Sequence, residues 1–210
     1  MKDDFAPYLL ATPLIEAGHP EIEAKAEALT KGETDSAGIA RRIFYFIRDE
    51  IRYAFSMRYT ENSFRASTVL KARRGFCTMK TILFCALARN RGIPAGIHFY
   101  DIVDHRLSER FYELLRTNVF HHHGVAELFL NGRWVQLDAT LDRHLSEKDG
   151  LSLVEFSSGG DCLLPPMTSD GRQHVEYIED YGRVSDVSVG EIRSWFQEGY
   201  PHLYHKHGLR

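Results

Sequence analysis

The 210 residues carry 26 basic and 29 acidic side chains, a net charge of −3, with 43% hydrophobic and 26% charged residues. That balance fits one globular domain, or one domain with an extension, and it excludes a disordered acidic chain and a globally basic nucleic-acid binder. Three cysteines, Cys77, Cys85 and Cys162, cannot all pair within one chain and do not make a disulfide scaffold.

Met1–Pro7 holds two acids and a proline where a signal peptide needs an apolar stretch. The longest apolar run, Ile82–Ala88, is seven residues, against the ~20 of a membrane helix. The expectation is a cytoplasmic chain with reduced cysteines, and with neither a membrane nor a nucleic acid among its partners.

Pro20–Lys31 predicts a first helix, with proline in the first turn, Ile22, Ala26 and Leu29 on one side, and Glu21–Lys25 and Glu27–Lys31 spaced i, i+4. A second helix starts at Asp35 or Ser36 as N-cap and buries a stripe of Ile39, Ile43, Phe46, Ile47 and Ile51. Arg41, Arg42 and Arg48 are expected on its solvated face. A third helix runs from about Cys77 to Asn90 and is stopped by Gly92. Ile93–Tyr100 and Val119–Ala139 predict strands. Ser157–Arg172, rich in Ser, Gly, Pro and Asp, predicts a long surface loop. It divides a core over 1–150 from a 151–210 extension, loop plus helix, that packs on it. Ser188-Val-Gly-Glu191 resembles a capping box ahead of a helix carrying Ile192, Trp195 and Phe196. Helices first and antiparallel strands afterwards give the class α+β.

Cys77 falls where a loop meets the third helix. A thiol in a first helical turn feels the positive end of the macrodipole, which favours thiolate. Lys71, Arg73, Arg74 and Lys80 would act the same way, Gly75 would let the backbone approach a substrate, and the first-turn N–H groups are candidate oxyanion donors. Cys85, inside the apolar run, and Cys162, in the loop, are expected to be structural.

His121-His-His-Gly-Val-Ala-Glu-Leu-Phe-Leu130, Asn131-Gly132 and Arg133-Trp-Val-Gln-Leu-Asp138 form a hairpin signal with a type I′ turn. A two-residue loop places Leu130 opposite Arg133 and, counting back, His123 opposite Thr140 and Val125 opposite Asp138. One face then carries His123, Glu127, Gln136 and Asp138, and the other only apolar side chains. His123 and Asp138 are diagonal neighbours. A carboxylate on one imidazole nitrogen fixes the tautomer and leaves the other nitrogen to take a proton. The alternative for His121–His123 is a zinc site, but no metal-ligand spacing completes one, and no metal is expected. His202, His205 and His207 are expected in a solvated tail.

Together these segments resemble the transglutaminase-like superfamily of cysteine enzymes, with its papain-like fold. The resemblance runs from about Ile51 to Thr140. It rests on Ala66-Ser-Thr-Val-Leu70 with Arg74-Gly-Phe-Cys77, on Leu83–Arg89 with Gly92-Ile-Pro-Ala95, and on His123, Glu127, Gly132-Arg-Trp134 and Asp138-Ala-Thr140. Val125, two residues beyond the histidine, and Thr78-Met-Lys80 depart from the common pattern. The resemblance implies Cys77 as nucleophile, His123 as general base then acid, Asp138 as orienter, and no cofactor. The fold implied has Cys77 at a helix N-terminus packed on an antiparallel sheet bearing His123 and Asp138.

The expected activity is cysteine-dependent acyl transfer. Hydrolysis of an amide, peptide or related bond is preferred to transfer onto an amine or thiol, because the sequence offers no second, amine-binding surface. A non-catalytic binding module on the same fold is the alternative of another class. The expected partner is a small-molecule or peptide acyl substrate. Pocket walls are expected from Tyr53–Arg65, from His98–Thr117 and from the C-terminal third.

Overall fold

His19 at the N-cap and Pro20 in the first turn start helix α1 (Pro20–Thr30). Asp35 accepts from the Gly38 N–H at 2.9 Å and starts α2 (Ser36–Glu50). The computed structural model describes residues 4–56 and 59–203; His205 and His207 lie outside them. The α1 charge pairs give way to packing, since the Lys25 ammonium sits 4.1 Å from the centre of the Phe46 ring. Ile43, Phe46, Ile47 and Ile51 are buried as their spacing predicts. Arg48 is not on a solvated face. It is 1% exposed, stacks over Tyr45, and binds Asp49, Glu155 and the Val154 carbonyl, so it anchors residues from the C-terminal third to α2.

Two short strands, β1 (Arg52–Tyr53) and β2 (Arg74–Gly75), pair in parallel around α3 (Ala66–Ala72). Helix α4 (Cys77–Asn90) follows directly and is the centre of the molecule, buried from Cys77 through Arg89. It packs on α1, α2 and α3 on one side and on the sheet on the other. A fully buried Ile or Leu stabilises by roughly 1.5–3 kcal/mol, so Ile82, Leu83 and Leu87, each 0% exposed, hold this helix more firmly than any capping bond could.

The main sheet is antiparallel, in the order β5-β4-β3-β6, built from β3 (Ala95–Asp104), β4 (Val119–Leu130), β5 (Arg133–Leu137) and β6 (Val175–Val184). Asn131 and Gly132 both take positive φ, 52° and 84°, as a type I′ turn requires. The hairpin register is the predicted one from Leu130↔Arg133 to Ala126↔Leu137. It ends there, so Asp138 and Thr140 continue past the strand without facing Val125 and His123 in the ladder. Ala126, Leu128, Leu130, Val135 and Leu137 form the buried apolar face.

Between Tyr100↔His123 and Ile102↔Phe120, His121 and His122 stand opposite Asp101 alone, a bulge with His122 at φ 53°. A left-handed non-glycine residue costs about 1–2 kcal/mol. The Asp101 carboxylate offsets that by accepting from the His122 N–H at 2.9 Å and bonding the His121 ring at 2.7 Å. His121 and His123 therefore engage different carboxylates and do not act as one ligand pair.

Helices α5 (Glu109–Leu115) and α6 (Arg143–Asp149) are seven residues each, about two turns, and absent from the predicted elements. Residues beyond 150 add a strand, since β6 pairs with β3 from Ile97↔Val184 to Asp104↔Val175. They also add α7 (Val189–Gly199), whose capping box has both Ser188 and Glu191 bonds in place. His202 bonds the Leu114 carbonyl at 3.0 Å instead of standing free in solvent. No helix among the described residues is long and apolar enough to cross a membrane.

Candidate active site

Phe76 is the N-cap of α4 and supplies no side-chain oxygen, so the first helical turn, which begins at Cys77, is left uncapped. The glycine before it has a packing reason. A Cβ at Gly75 would come within 2.9 Å of the Met79 Cβ, so this position serves the turn into α4 and not the approach of a substrate. Cys77 is 7% exposed and opens on a cavity of about 400 Å³.

Two buried hydrogen bonds clamp α4 to the segments that carry the histidine and the aspartate, and a third joins Thr140 to Asp138. The Thr81 hydroxyl donates to the Gly124 carbonyl at 2.9 Å, next to His123. Lys80 Nζ donates to the Thr140 carbonyl at 2.7 Å, and the Thr140 N–H donates to Asp138 Oδ1 at 2.9 Å. Gly124 lets the two elements close, because a Cβ there would stand 3.3 Å from the Thr78 Cα. On the outer side, the Asp138 N–H donates to the Cys162 carbonyl at 2.8 Å, so a residue of the long loop holds the strand end.

Within this frame His123 Nε2 lies 2.7 Å from Asp138 Oδ2, and the same imidazole stands close enough to Cys77 to lower the pKa of its thiol. Burial raises the Cys77 pKa, but His123, the Gly124 backbone and Thr78 outweigh it, and the thiol is held below its ordinary value. Lys71, Arg73 and Arg74 do not contribute as their sequence proximity suggests: all three are exposed, and Arg73 pairs with Glu50. Burial opposes protonation of His123, yet Asp138 and Cys77 together raise its pKa to about 10. Burial likewise opposes ionisation of Asp138, and His123 and Thr140 overcome it. The arrangement therefore shifts the cysteine toward thiolate and the histidine toward imidazolium beside a carboxylate. Cys85 is the contrast: its thiol donates to the Gly96 carbonyl and burial pushes its pKa up to about 12. Burial also raises Cys162.

The segments expected as pocket walls supply individual residues at the site that the sequence does not single out. Tyr53 lines the cavities on both sides of the cysteine–histidine pair, and the Tyr53 N–H is fixed by Asp142 at 2.7 Å. Burial first, and then Cys77, keep its phenol protonated far above the ordinary range. The signal available was the Ile51-Arg-Tyr53 exit from α2, too short to mark a strand. The second cavity, about 580 Å³, lies on the His123 side and is lined by Asp104, Phe111, Phe120, Thr140 and Leu141 among others. Trp195, Phe196 and Tyr200 wall the first.

No curated protein matches the chain by sequence. Among solved structures, a candidate cysteine protease from Cytophaga hutchinsonii superposes with a TM-score of 0.51 at 20% identity, over 67% of this chain and 43% of that one. The periplasmic domain of TgpA from Pseudomonas aeruginosa gives a TM-score of 0.45 at 17% identity, over 63% of this chain and 45% of that one. The chain thus spans less than half the length of either protein, and the likeness to the first is one of fold. The family model of the transglutaminase-like superfamily matches residues 23–139, more than half of the chain, from α1 to the residue after Asp138. With its helix-on-sheet architecture and this match, the chain belongs to the transglutaminase-like superfamily.

Proposed function

We propose that the chain is a cysteine-dependent acyl-transfer enzyme that hydrolyses an amide, peptide or related acyl bond through a thioester on Cys77. One observation carries this reading: His123 lies 2.7 Å from Asp138 and lowers the pKa of a thiol that lines a cavity. A binding module has no use for a buried thiolate–imidazolium pair, which costs desolvation unless chemistry requires it.

The thiolate of Cys77 attacks the substrate carbonyl carbon, and the carbonyl π electrons move onto oxygen. The N–H groups of the uncapped α4 turn are the nearest donors for that oxyanion, and the neutral Tyr53 hydroxyl is the second. The C–N bond then breaks, its electron pair leaves on nitrogen, and the His123 imidazolium gives that nitrogen its proton. The thioester remains. Neutral His123 takes a proton from water, the hydroxide oxygen bonds the acyl carbon, and the sulfur leaves as thiolate beside a restored imidazolium. Asp138 holds the ring with its other nitrogen toward sulfur throughout.

A second reading, transfer to an amine, is favoured by the cavity on the His123 side. The sequence offered no such surface. An acceptor seated there would lie against the imidazole that must deprotonate it. The substrate is accordingly a small acyl compound or a peptide, and the three free, buried cysteines suit a reducing, cytoplasmic setting.

Rapid mixing with p-nitrophenyl acetate tests the reading. A burst of p-nitrophenol equal to the enzyme, with an acetyl mass on the Cys77 peptide, is expected. An added amine that diverts the acetyl group from acetate to amide would favour transfer. Absence of both burst and adduct would remove Cys77 as the nucleophile.

A further inference from the structure

The cavity beside Cys77 has a chemical character that the family match leaves unexplained. Its walls are Phe55, Phe76, Phe120, Trp195, Phe196 and Tyr200, and no Asp, Glu, Lys or Arg lines it among the described residues. Half of that aromatic set comes from α7 and the residue after it, outside the matched segment 23–139. Of the imidazoles that reach it, His121 is engaged by Asp101 at 2.7 Å, and His122 is stacked between two rings with no hydrogen-bond partner for its buried Nδ1.

The wall is fixed in place. Trp195 stacks on His122 at 4.3 Å and nearly parallel, His122 stacks on Tyr181 at 4.3 Å, and Trp195 meets Phe99 edge-on at 4.8 Å. Phe196 packs on Phe76 at 5.5 Å and on Phe55 at 5.7 Å. The Tyr200 hydroxyl accepts from the His121 N–H at 3.0 Å and donates to the Val119 carbonyl at 3.2 Å. The left-handed turn at His122 therefore does two jobs: it sets the strand leading into His123, and it aims an imidazole at α7. A site walled this way rewards an uncharged ring by edge-to-face and offset contacts. It penalises a carboxylate or ammonium, which would lose water and meet no Asp, Glu, Lys or Arg among the described residues of the wall.

We propose that this cavity is the acyl pocket and that α7 makes it select an uncharged aromatic acyl group. The assignment rests on the reading that Cys77 is the nucleophile.

Acylation of Cys77 by p-nitrophenyl esters, followed by burst rate and intact mass, provides the test. The 3-phenylpropanoyl ester should acylate at least roughly tenfold faster than the acetyl ester, and roughly 100-fold faster than the succinyl ester. Trp195→Ala should lower the phenylpropanoyl-to-acetyl ratio by about tenfold. Phe196→Leu, which keeps apolar bulk and hence the fold, should lower it by a smaller factor. Equal rates, or a faster succinyl ester, would overturn the proposal. Binding is measured separately, by calorimetry of 3-phenylpropanamide and of succinamate with Cys77→Ala. Selective binding of the aromatic amide upholds the pocket even where no ester acylates the enzyme, a result that would strike only the nucleophile. Loss of that binding in Trp195→Ala is the expected companion result. Failure of the aromatic amide to bind Cys77→Ala at all overturns the pocket.

Discussion

Two buried histidines of one sheet each pair with a carboxylate. His123 meets Asp138 at 2.7 Å, and His98 meets Glu127 at 2.8 Å. Both histidines are buried, and neighbouring carboxylates raise both pKa values against the opposing effect of burial. They differ in the remaining nitrogen. That of His123 is left to the Cys77 thiol, whereas His98 Nε2 is taken by Asp180 at 2.6 Å. His98 is further enclosed by Tyr100, stacked at 4.5 Å, and by Gln136, while Glu127 is shared with Arg183. A carboxylate on imidazole is thus not itself a site. Under the proposed function, what makes one is a second nitrogen facing a thiol beside a cavity.

The largest effects should separate the two pairs. Cys77→Ala and His123→Ala are each expected to lower acylation by more than about 10³-fold, since the two act as a unit. His98→Asn should leave the rate within about twofold. A comparable loss at His98 would break the distinction.

Next comes proton occupancy. Because Cys77 is held below its ordinary value, alkylation by iodoacetamide should persist as pH falls beneath the ordinary thiol range, while Cys85, pushed up to about 12, stays unlabelled. Removing the imidazole in His123→Ala should slow alkylation at pH 6 by roughly tenfold or more, as the thiol returns toward ~8.5. On the alkaline side, the rate of ester acylation should fall as His123 deprotonates near 10. Equal labelling of Cys77 and Cys85 would remove the ion pair.

The supports of the Cys77 site rank below its members. Asp138→Asn should reduce turnover by roughly 100-fold, by freeing the imidazole to take the wrong tautomer or orientation. Lys80→Met keeps the volume but cuts the bond from α4 to the Thr140 carbonyl. Burial pushes Lys80 down to about 7 despite Asp142, Asp138 and Asp49, so its charge is already weakly held. We expect about a tenfold loss in kcat for Lys80→Met, with the alkaline limb shifted to lower pH as Asp138 loosens its hold on His123. Lys80→Arg should not restore it if the fit at Thr140 is the cause.

Much of this was legible in the residues, for definite reasons. Asn131-Gly132 dictates a two-residue turn, and a two-residue turn dictates register, which is why the Ala126↔Leu137 pairing could be counted out in advance. The extent of α4 from Cys77 to Asn90 is legible in its inward-facing apolar residues and in Gly92 as the stop. The bulge at His122 was hidden, because its cause is Asp101 on another strand, and no local pattern marks it. Arg48 misled for the same reason: its partners Val154 and Glu155 lie over a hundred residues away. The strand β6 lacks alternation, with most of its residues exposed at the sheet's edge, so its sequence resembles a loop. α7 was visible as a helix from its capping box, but nothing in its own stripe says that Trp195 and Phe196 pack beside a cysteine.

The smallest effect concerns stability, and it tests whether the His98 pair is only architectural. Glu127→Gln removes one carboxylate from His98 and the ion partner of Arg183, whose guanidinium also lies 3.6 Å from the Trp134 ring centre. A buried hydrogen bond left half-made costs about 1–3 kcal/mol. The pH dependence has a definite sign. The native His98 pKa lies above its ordinary value, so the stabilisation from its charge is complete below the unfolded value of about 6.5 and is lost as pH rises through the native value. Asp180 adds little to this, its side chain being 61% exposed and screened by water. In thermal unfolding, the gap between the wild-type chain and Glu127→Gln should therefore be widest near pH 5.5. It should narrow by pH 9 to the part contributed by Arg183, whose charge does not titrate there. A gap that stays constant over this range would mean that His98 is neutral in the native protein, and the two pairs would then differ in charge as well as in neighbours.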